Sequence, residues 1–199
     1  MSTNPLLAPG LPDVVHGSQQ TFRAVLDALA RPGTVCEIGA SLPQVALGGA
    51  MARLLLSLTD DETPVWWQRA DTTTQGWLQF HTGAGVAANA GAASFAVIHD
   101  LDAPFDLVDF AMGSAESPEF STTLIVELPA LHGGQELEWR GPGIEVLQRV
   151  GLCGVPNHFW SQWQANHAAF PAGVDMVFTC GDQALGLPRT TRVRRLERV

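Results

Sequence analysis

"SFAVIHD", residues 94–100, is the stretch on which the fold turns. A short unbroken apolar run with polar residues on both sides is too brief for a helix. It does not alternate, so it reads as a strand covered on both faces, of the kind found in the middle of an α/β sheet. Working outward, "TPVWW" (63–67), "TLIVELPAL" (123–131) and "VDMVFTC" (174–180) read as further strands, and "TVCEI" (34–38) as a β-branched one. "QELEWRG" (135–141) is expected to pair with 123–131 as a hairpin through the turn signal "HGG", and "GDQ" turns the chain after 180.

Helical spacing separates these runs. Ser18 can cap a helix carrying Phe22, Val25, Leu26 and Leu29 on one face, which Pro32 ends. "SLPQVALGGAMARLLLSLTD" (41–60), with Ser41 as cap and an early proline at 43, reads as a second helix. Residues 72–81 read as a third, with Trp77 and Phe80 inward, and 156–170 as a fourth. Strands and helices interleave, which predicts one α/β domain over 1–199: helices flanking a mixed sheet, an extended Pro-rich arm at 1–16 and a basic tail at 190–199.

Composition narrows the function. Hydrophobic residues make up 46% and charged ones 16%, a packed globular composition with room for buried interfaces. The net charge of −9 argues against a nucleic-acid partner, whose phosphates need a basic face. No apolar run approaches the roughly 18–20 residues of a membrane span, and "MSTNPLLAPGLPDVV" lacks the pattern of a signal peptide. Cys36, Cys153 and Cys180 are odd in number and widely spaced, as expected of reduced core thiols in a cytoplasmic protein. The chain has no lysine: its eleven basic residues are all arginine. It therefore cannot supply the Schiff base of a pyridoxal-phosphate enzyme or the lysine of a P-loop.

Several segments could carry chemistry. In "GSAESPEFSTT" (113–123), Glu116 and Glu119 stand three apart before a buried strand. Such a loop can offer a metal ligand, a general base or a ribose-hydroxyl acceptor, or it can be an ordinary polar turn. "GPGI" (141–144), before an expected helix, can turn backbone N–H groups toward an anion but carries no phosphate-loop pattern. Arg31 in "ARPG" sits in the last turn of a helix, where a cation complements the macrodipole without any ligand. The six histidines show no HxH or HExxH spacing, so no metal site is expected. Asp100, Asp102, Asp106 and Asp109 match no EF-hand loop and read as a solvated face or as helix caps.

Taken in order, "FRAVLDALARPGTV" (22–35), "TPVWW", "LQFHTGA" (78–84), "GSAESPEFSTTLIVELPAL" (113–131), "GPGI", the Phe159–Phe178 segment with "FPAGVD", and "GLPRTTRV" (186–193) resemble the PhnH family of the bacterial carbon–phosphorus lyase system. The resemblance covers about residues 12–194, with Ser114 and Thr122 as mild departures where threonine and alanine are usual. It implies a cytoplasmic subunit of phosphonate catabolism, a homodimer when alone and assembled with PhnG, PhnI and PhnJ. That assembly takes ATP and an alkylphosphonate, displaces adenine and forms a ribose 1-phosphonate 5-triphosphate. The implied fold is similar to the large domain of pyridoxal-phosphate transferases, without the cofactor, which fits the missing lysine.

The arginine-rich end then has two readings. In one, Arg189, Thr190 and Thr191 form part of an anion pocket at a subunit interface, with Glu116, Glu119 and Asp175 orienting a ribose or a metal ion. In the other, Arg189 pairs with one of those acids and the later arginines meet an acidic partner. The expectation is an accessory or scaffolding subunit with no catalysis of its own. The alternatives are a direct contribution to the nucleosyl-transfer site and a metal-dependent hydrolase using Glu116 and Glu119.

Overall fold

In a computed structural model, residues 8–42 and 45–196 are described. They form four α-helices, α1 (Val14–Ala30), α2 (Gly49–Leu58), α3 (Thr72–Thr82) and α4 (Phe159–Ala168), and nine strands. The strands are β1 (Val35–Glu37), β2 (Val65–Trp67), β3 (Phe95–Ile98), β4 (Thr123–Glu127), β5 (Ala130–Arg140), β6 (Gln148–Cys153), β7 (Asp175–Cys180), β8 (Gln183–Leu187) and β9 (Arg192–Arg195).

Six strands make a mixed sheet in the order β1-β8-β7-β4-β3-β2, and the other three make a second sheet, β6-β5-β9. Strands β2, β3, β4 and β7 run parallel; β8 pairs antiparallel with β7 and β1 antiparallel with β8, so β1 runs in the same direction as the four. The expected α/β class with a mixed sheet is present. The run at 94–100 does hold a central strand: Ala96, Val97 and Ile98 are fully buried because both faces of the sheet are covered.

Alternation along each strand divides the core in two. Ala96, Ile98, Leu124, Val126, Met176, Phe178 and Leu185 face one apolar cluster, closed by Leu137, Trp139 and Val150 of the second sheet and by Phe159, Trp160 and Trp163 of α4. Val97, Ile125, Val177 and Ala184 face the other, beneath α1, α2 and α3. A three-layer arrangement results, in which each parallel strand must be apolar on both sides.

Several expectations are corrected. Helix α1 starts at Val14, capped by the Asp13 carboxylate accepting from the His16 N–H, rather than at Ser18. It buries Thr21, Val25 and Ala28, while Phe22 and Leu26 are half-exposed, so the apolar stripe read from spacing is rotated from the buried face. The 1–16 arm is therefore helical from residue 14. Its residue 8 is pinned down, because the Trp77 indole and His81 imidazole N–H groups both donate to the Ala8 carbonyl. Helix α2 begins only at Gly49, and Pro43 of the expected helix lies outside the described residues.

The 123–141 hairpin does not form. Strand β4 belongs to the large sheet and β5 to the small one, and "HGG" is an irregularity inside β5 where the pairing register with β6 shifts. The segment after "GPGI" is strand β6 rather than a helix. The basic tail is in its first part strand β9, because Val193 buries against the core while the neighbouring arginines stay outside; residues 197–199 lie outside the described residues.

Candidate functional site

The parallel strands give the sheet an amino edge and a carboxyl edge, and polar residues collect at both. At the amino edge, Asp175 opens β7 and Thr123 opens β4 beside it. Arg189, two residues past the end of β8, lies across them almost wholly buried, with 9% of its surface exposed.

Every N–H of its guanidinium is taken up by this chain. Nε donates to both Asp175 carboxylate oxygens at 3.1 Å, and Nη1 donates to the carbonyls of Pro118 (3.1 Å) and Pro171 (3.3 Å). Nη2 donates to the Ser121 hydroxyl and the Asp175 carboxylate. The Arg189 backbone N–H adds a further bond to Asp175 at 2.7 Å. This arginine ties the 113–123 loop, the turn at 171 and two strand ends together, and it has no donor left over for an anion.

The loop holds itself in shape. Gly113 adopts a left-handed φ of +67°, and a Cβ there would come within 2.9 Å of the Pro118 carbonyl, so glycine permits the tight closure. Ser117 N–H donates to the Ser114 hydroxyl and Thr122 N–H to the Ala111 carbonyl. Glu116 and Glu119 remain exposed; Glu116 accepts a bond from Ser114 at 3.2 Å, and Glu119 rims a groove with Glu62, Thr63, Phe120, Ser121 and Thr123. Thr191 is buried, its carbonyl accepting from the Trp163 indole, while its hydroxyl has no partner among the described residues. Thr190 lies beside Gly141, whose left-handed backbone approaches its carbonyl.

Arg31 stands apart. It pairs with Asp27 one helical turn earlier, which holds the Asp27 carboxyl below its usual range. Of the candidate residues, the structure joins Asp175 and Arg189, with Thr190 and Thr191 following in the chain. It brings in the backbone of the glutamate loop and leaves the carboxylates of Glu116 and Glu119 outside.

The carboxyl edge holds what sequence reasoning missed. In open α/β sheets this is the edge where ligands bind. His99 follows β3 and Glu127 ends β4; the pairing of Ile98 with Val126 places them side by side, with Nδ1 3.2 Å from a Glu127 oxygen. That bond from His99 holds the Glu127 carboxyl below the usual glutamate range, and the Gly48 N–H at the start of α2 adds to the effect. A Cβ at Gly48 would sit 2.5 Å from Glu127 Oε1, so a side chain there would push the carboxylate aside.

Gln68, just past β2, accepts from the N–H groups of His99 and Asp100 and donates to the Asp100 carbonyl, fixing that turn. Asp182, in the β7–β8 turn, accepts from the Ser41 hydroxyl at 3.0 Å. The result is a half-buried imidazole oriented by a carboxylate, which can accept or deliver a proton at Nε2. Among the described residues there is no group of three or more His, Cys, Asp or Glu side chains able to hold a metal ion. No described helix is long and apolar enough to cross a membrane.

An α/β chain with this layering, a locked amino edge and a His–Glu pair at the carboxyl edge can be set beside known proteins. The family described as bacterial phosphonate metabolism protein (PhnH) matches residues 9–194. The chain is 41% identical over 186 residues to the alpha-D-ribose 1-methylphosphonate 5-triphosphate synthase subunit PhnH of Rhizobium meliloti (strain 1021), covering 92% of this chain and 93% of that one. It is also 34% identical over 82 residues, 41% of this chain and 42% of the other, to a putative C-P lyase subunit protein HtxG of Stutzerimonas stutzeri. The chain belongs to the PhnH family.

Proposed function

We propose that this chain is a cytoplasmic subunit of a ribose 1-methylphosphonate 5-triphosphate synthase in organic phosphonate catabolism. It supports the transfer of the ribose triphosphate of ATP to an alkylphosphonate without performing it alone. The observation that carries this is the 41% identity to a named synthase subunit across nearly both whole chains. The amino edge supports an accessory role, since the arginine best suited to hold a phosphate is consumed by Asp175, Ser121 and two carbonyls.

The proposed partners are PhnG, PhnI and PhnJ, and the chain pairs with itself when alone. In support, Val14, Val15, Phe22 and Leu26 stand 49–69% exposed on α1, an apolar stripe suited to an interface. The fold is taken as similar to the large domain of pyridoxal-phosphate transferases. With no lysine for a Schiff base, the chain carries no such cofactor, and ATP and the phosphonate are substrates of the assembly.

Co-expression of the tagged chain with the other subunits tests the reading. A single complex on size exclusion is expected, and recovery of the chain only as a free species would contradict it. A second reading, direct contribution to the transfer site, is favoured by the His99–Glu127 pair at the carboxyl edge. His99→Ala in an intact complex would then lower kcat for adenine release.

A further inference from the structure

The parallel strands β2, β3 and β4 begin at a common edge, and a groove of about 380 Å³ crosses it. Glu62 and Thr63 before β2, Ser94 before β3, and Glu119, Phe120 and Ser121 before β4 help to line it. No arginine or histidine is among the lining residues. Glu62 and Glu119 are exposed, and among the described residues no arginine or histidine lies within 4 Å of either carboxylate.

Phe120 lines this groove and is 73% exposed, and Phe170, in the turn before β7, is 57% exposed. Single apolar residues on a surface are ordinary. These two are neighbours, because the carbonyls of Pro118 and Pro171 accept from the same Arg189 nitrogen and so hold the two turns together. The loop bearing Phe120 is clamped further on, where Ser121 accepts from Arg189 and the Thr122 N–H donates to the Ala111 carbonyl at 2.8 Å. A backbone held this firmly around exposed aromatic residues lowers the ordering cost of binding, as a contact surface requires.

Charge selects the partner. A groove with two acids, no base and an aromatic wall is complementary to a cation. A guanidinium fits best, since it stacks on aromatic rings while its N–H groups reach carboxylates and hydroxyls. Arg189 does not fill this role, because Asp175 already neutralises it. A second copy is the poorer match, since a chain of net charge −9 meets itself with like charge.

We infer that the amino edge of the large sheet docks a partner protein through an arginine seated in this groove against Phe120, with Phe170 as the flanking apolar contact. The inference rests on the assembly reading for the presence of a partner. It adds the surface used and the chemistry the partner brings.

Co-expression of the tagged full chain with the other synthase subunits tests this, with recovery of those subunits on the tag as the readout. The Glu62→Arg/Glu119→Arg double variant is expected to lower recovery by about tenfold or more, because like charge then faces the partner's arginine. Phe120→Ser is expected to lower it about fivefold. Glu145→Arg, exposed and outside the groove lining, is the control expected to assemble as the parent does. All the substituted residues are exposed, and an unchanged melting temperature of each isolated variant would show that it folds.

Parent-like recovery with the double variant would overturn the inference and leave the assembly reading standing. So would a double variant that assembles normally but runs as a monomer where the parent alone is a dimer, a result that would give the groove to a second copy. An equal loss with Glu145→Arg would also overturn it, by showing a general effect of lowered negative charge. If the parent chain recovers no other subunit, the assembly reading fails and the dock falls with it.

Discussion

Replacing Arg189 by alanine should damage the stability of the isolated chain before it damages any chemistry. The substitution removes five N–H donors and leaves the Asp175 carboxylate, two carbonyls and the Ser121 hydroxyl at the amino edge without their partner. Removing one member of a buried ion pair costs about 3–5 kcal/mol, because the other charge stays buried. The Asp175 side chain keeps 24% exposure against 10% for Arg189, so water can partly replace the lost donors. The low end, about 3 kcal/mol, is therefore expected. For a domain of this size that corresponds to a fall in Tm of about 6–12 °C.

Urea and thermal unfolding of the isolated chain would measure it, with Arg189→Lys intermediate because it keeps the charge and loses the fork. Asp175→Asn in a double-mutant cycle should show coupling of about 2 kcal/mol. A melting temperature within about 2 °C of the parent, or additive effects in the cycle, would refute the account of Arg189 as an internal tie.

Three further predictions concern the layers around the sheet. Gly186→Ala on β8 should cost about 1–3 kcal/mol, because its Cβ would lie 2.5 Å from the Ala28 carbonyl oxygen of α1 and force the helix outward. Gly85→Ala, with open space around it, is the control and should change little in the same denaturation assay. The lowered Glu127 carboxyl contributes stability above the unfolded-state value and loses it as pH falls through the folded one. The stability gap between parent and Glu127→Gln should thus be widest above the unfolded-state glutamate value of about 4.3 and shrink as pH falls below it; a gap that stays constant between pH 7 and 3 would contradict this. Burial, aided by nearby Asp27, pushes the Cys36 thiol up, so alkylation at pH 8 should label it more slowly than Cys153 or Cys180 and equalise in urea.

The central sheet was legible because its strands are apolar on both faces, and runs such as 94–100 have no other comfortable place. The small sheet was legible only in part: 135–141 reads as a strand and lies in β5 up to residue 140, while β6 and β9 went unread. Strand β9 buries only Val193 among arginines, and β5 is interrupted by the glycines of "HGG", so neither shows a clean period. The acid that would claim Arg189 was named among the candidates, but spacing could not choose between Asp175 and the glutamates, since the pairing depends on β7 and β8 forming a hairpin. His99 and Glu127 are 28 residues apart and each looks solitary. Only the parallel pairing of β3 and β4 makes them neighbours. A polar residue directly after each of two buried strands is the signal that could have found them.

A chain that supports nucleosyl transfer as a member of an assembly should be needed there and silent on its own. The most direct test is adenine release from ATP in the presence of methylphosphonate, measured for the isolated chain, the full complex and a complex assembled without the chain. Release is expected from the full complex only, with the isolated chain silent and the depleted complex inactive. Adenine released by the isolated chain, or at full rate by the depleted complex, would contradict it.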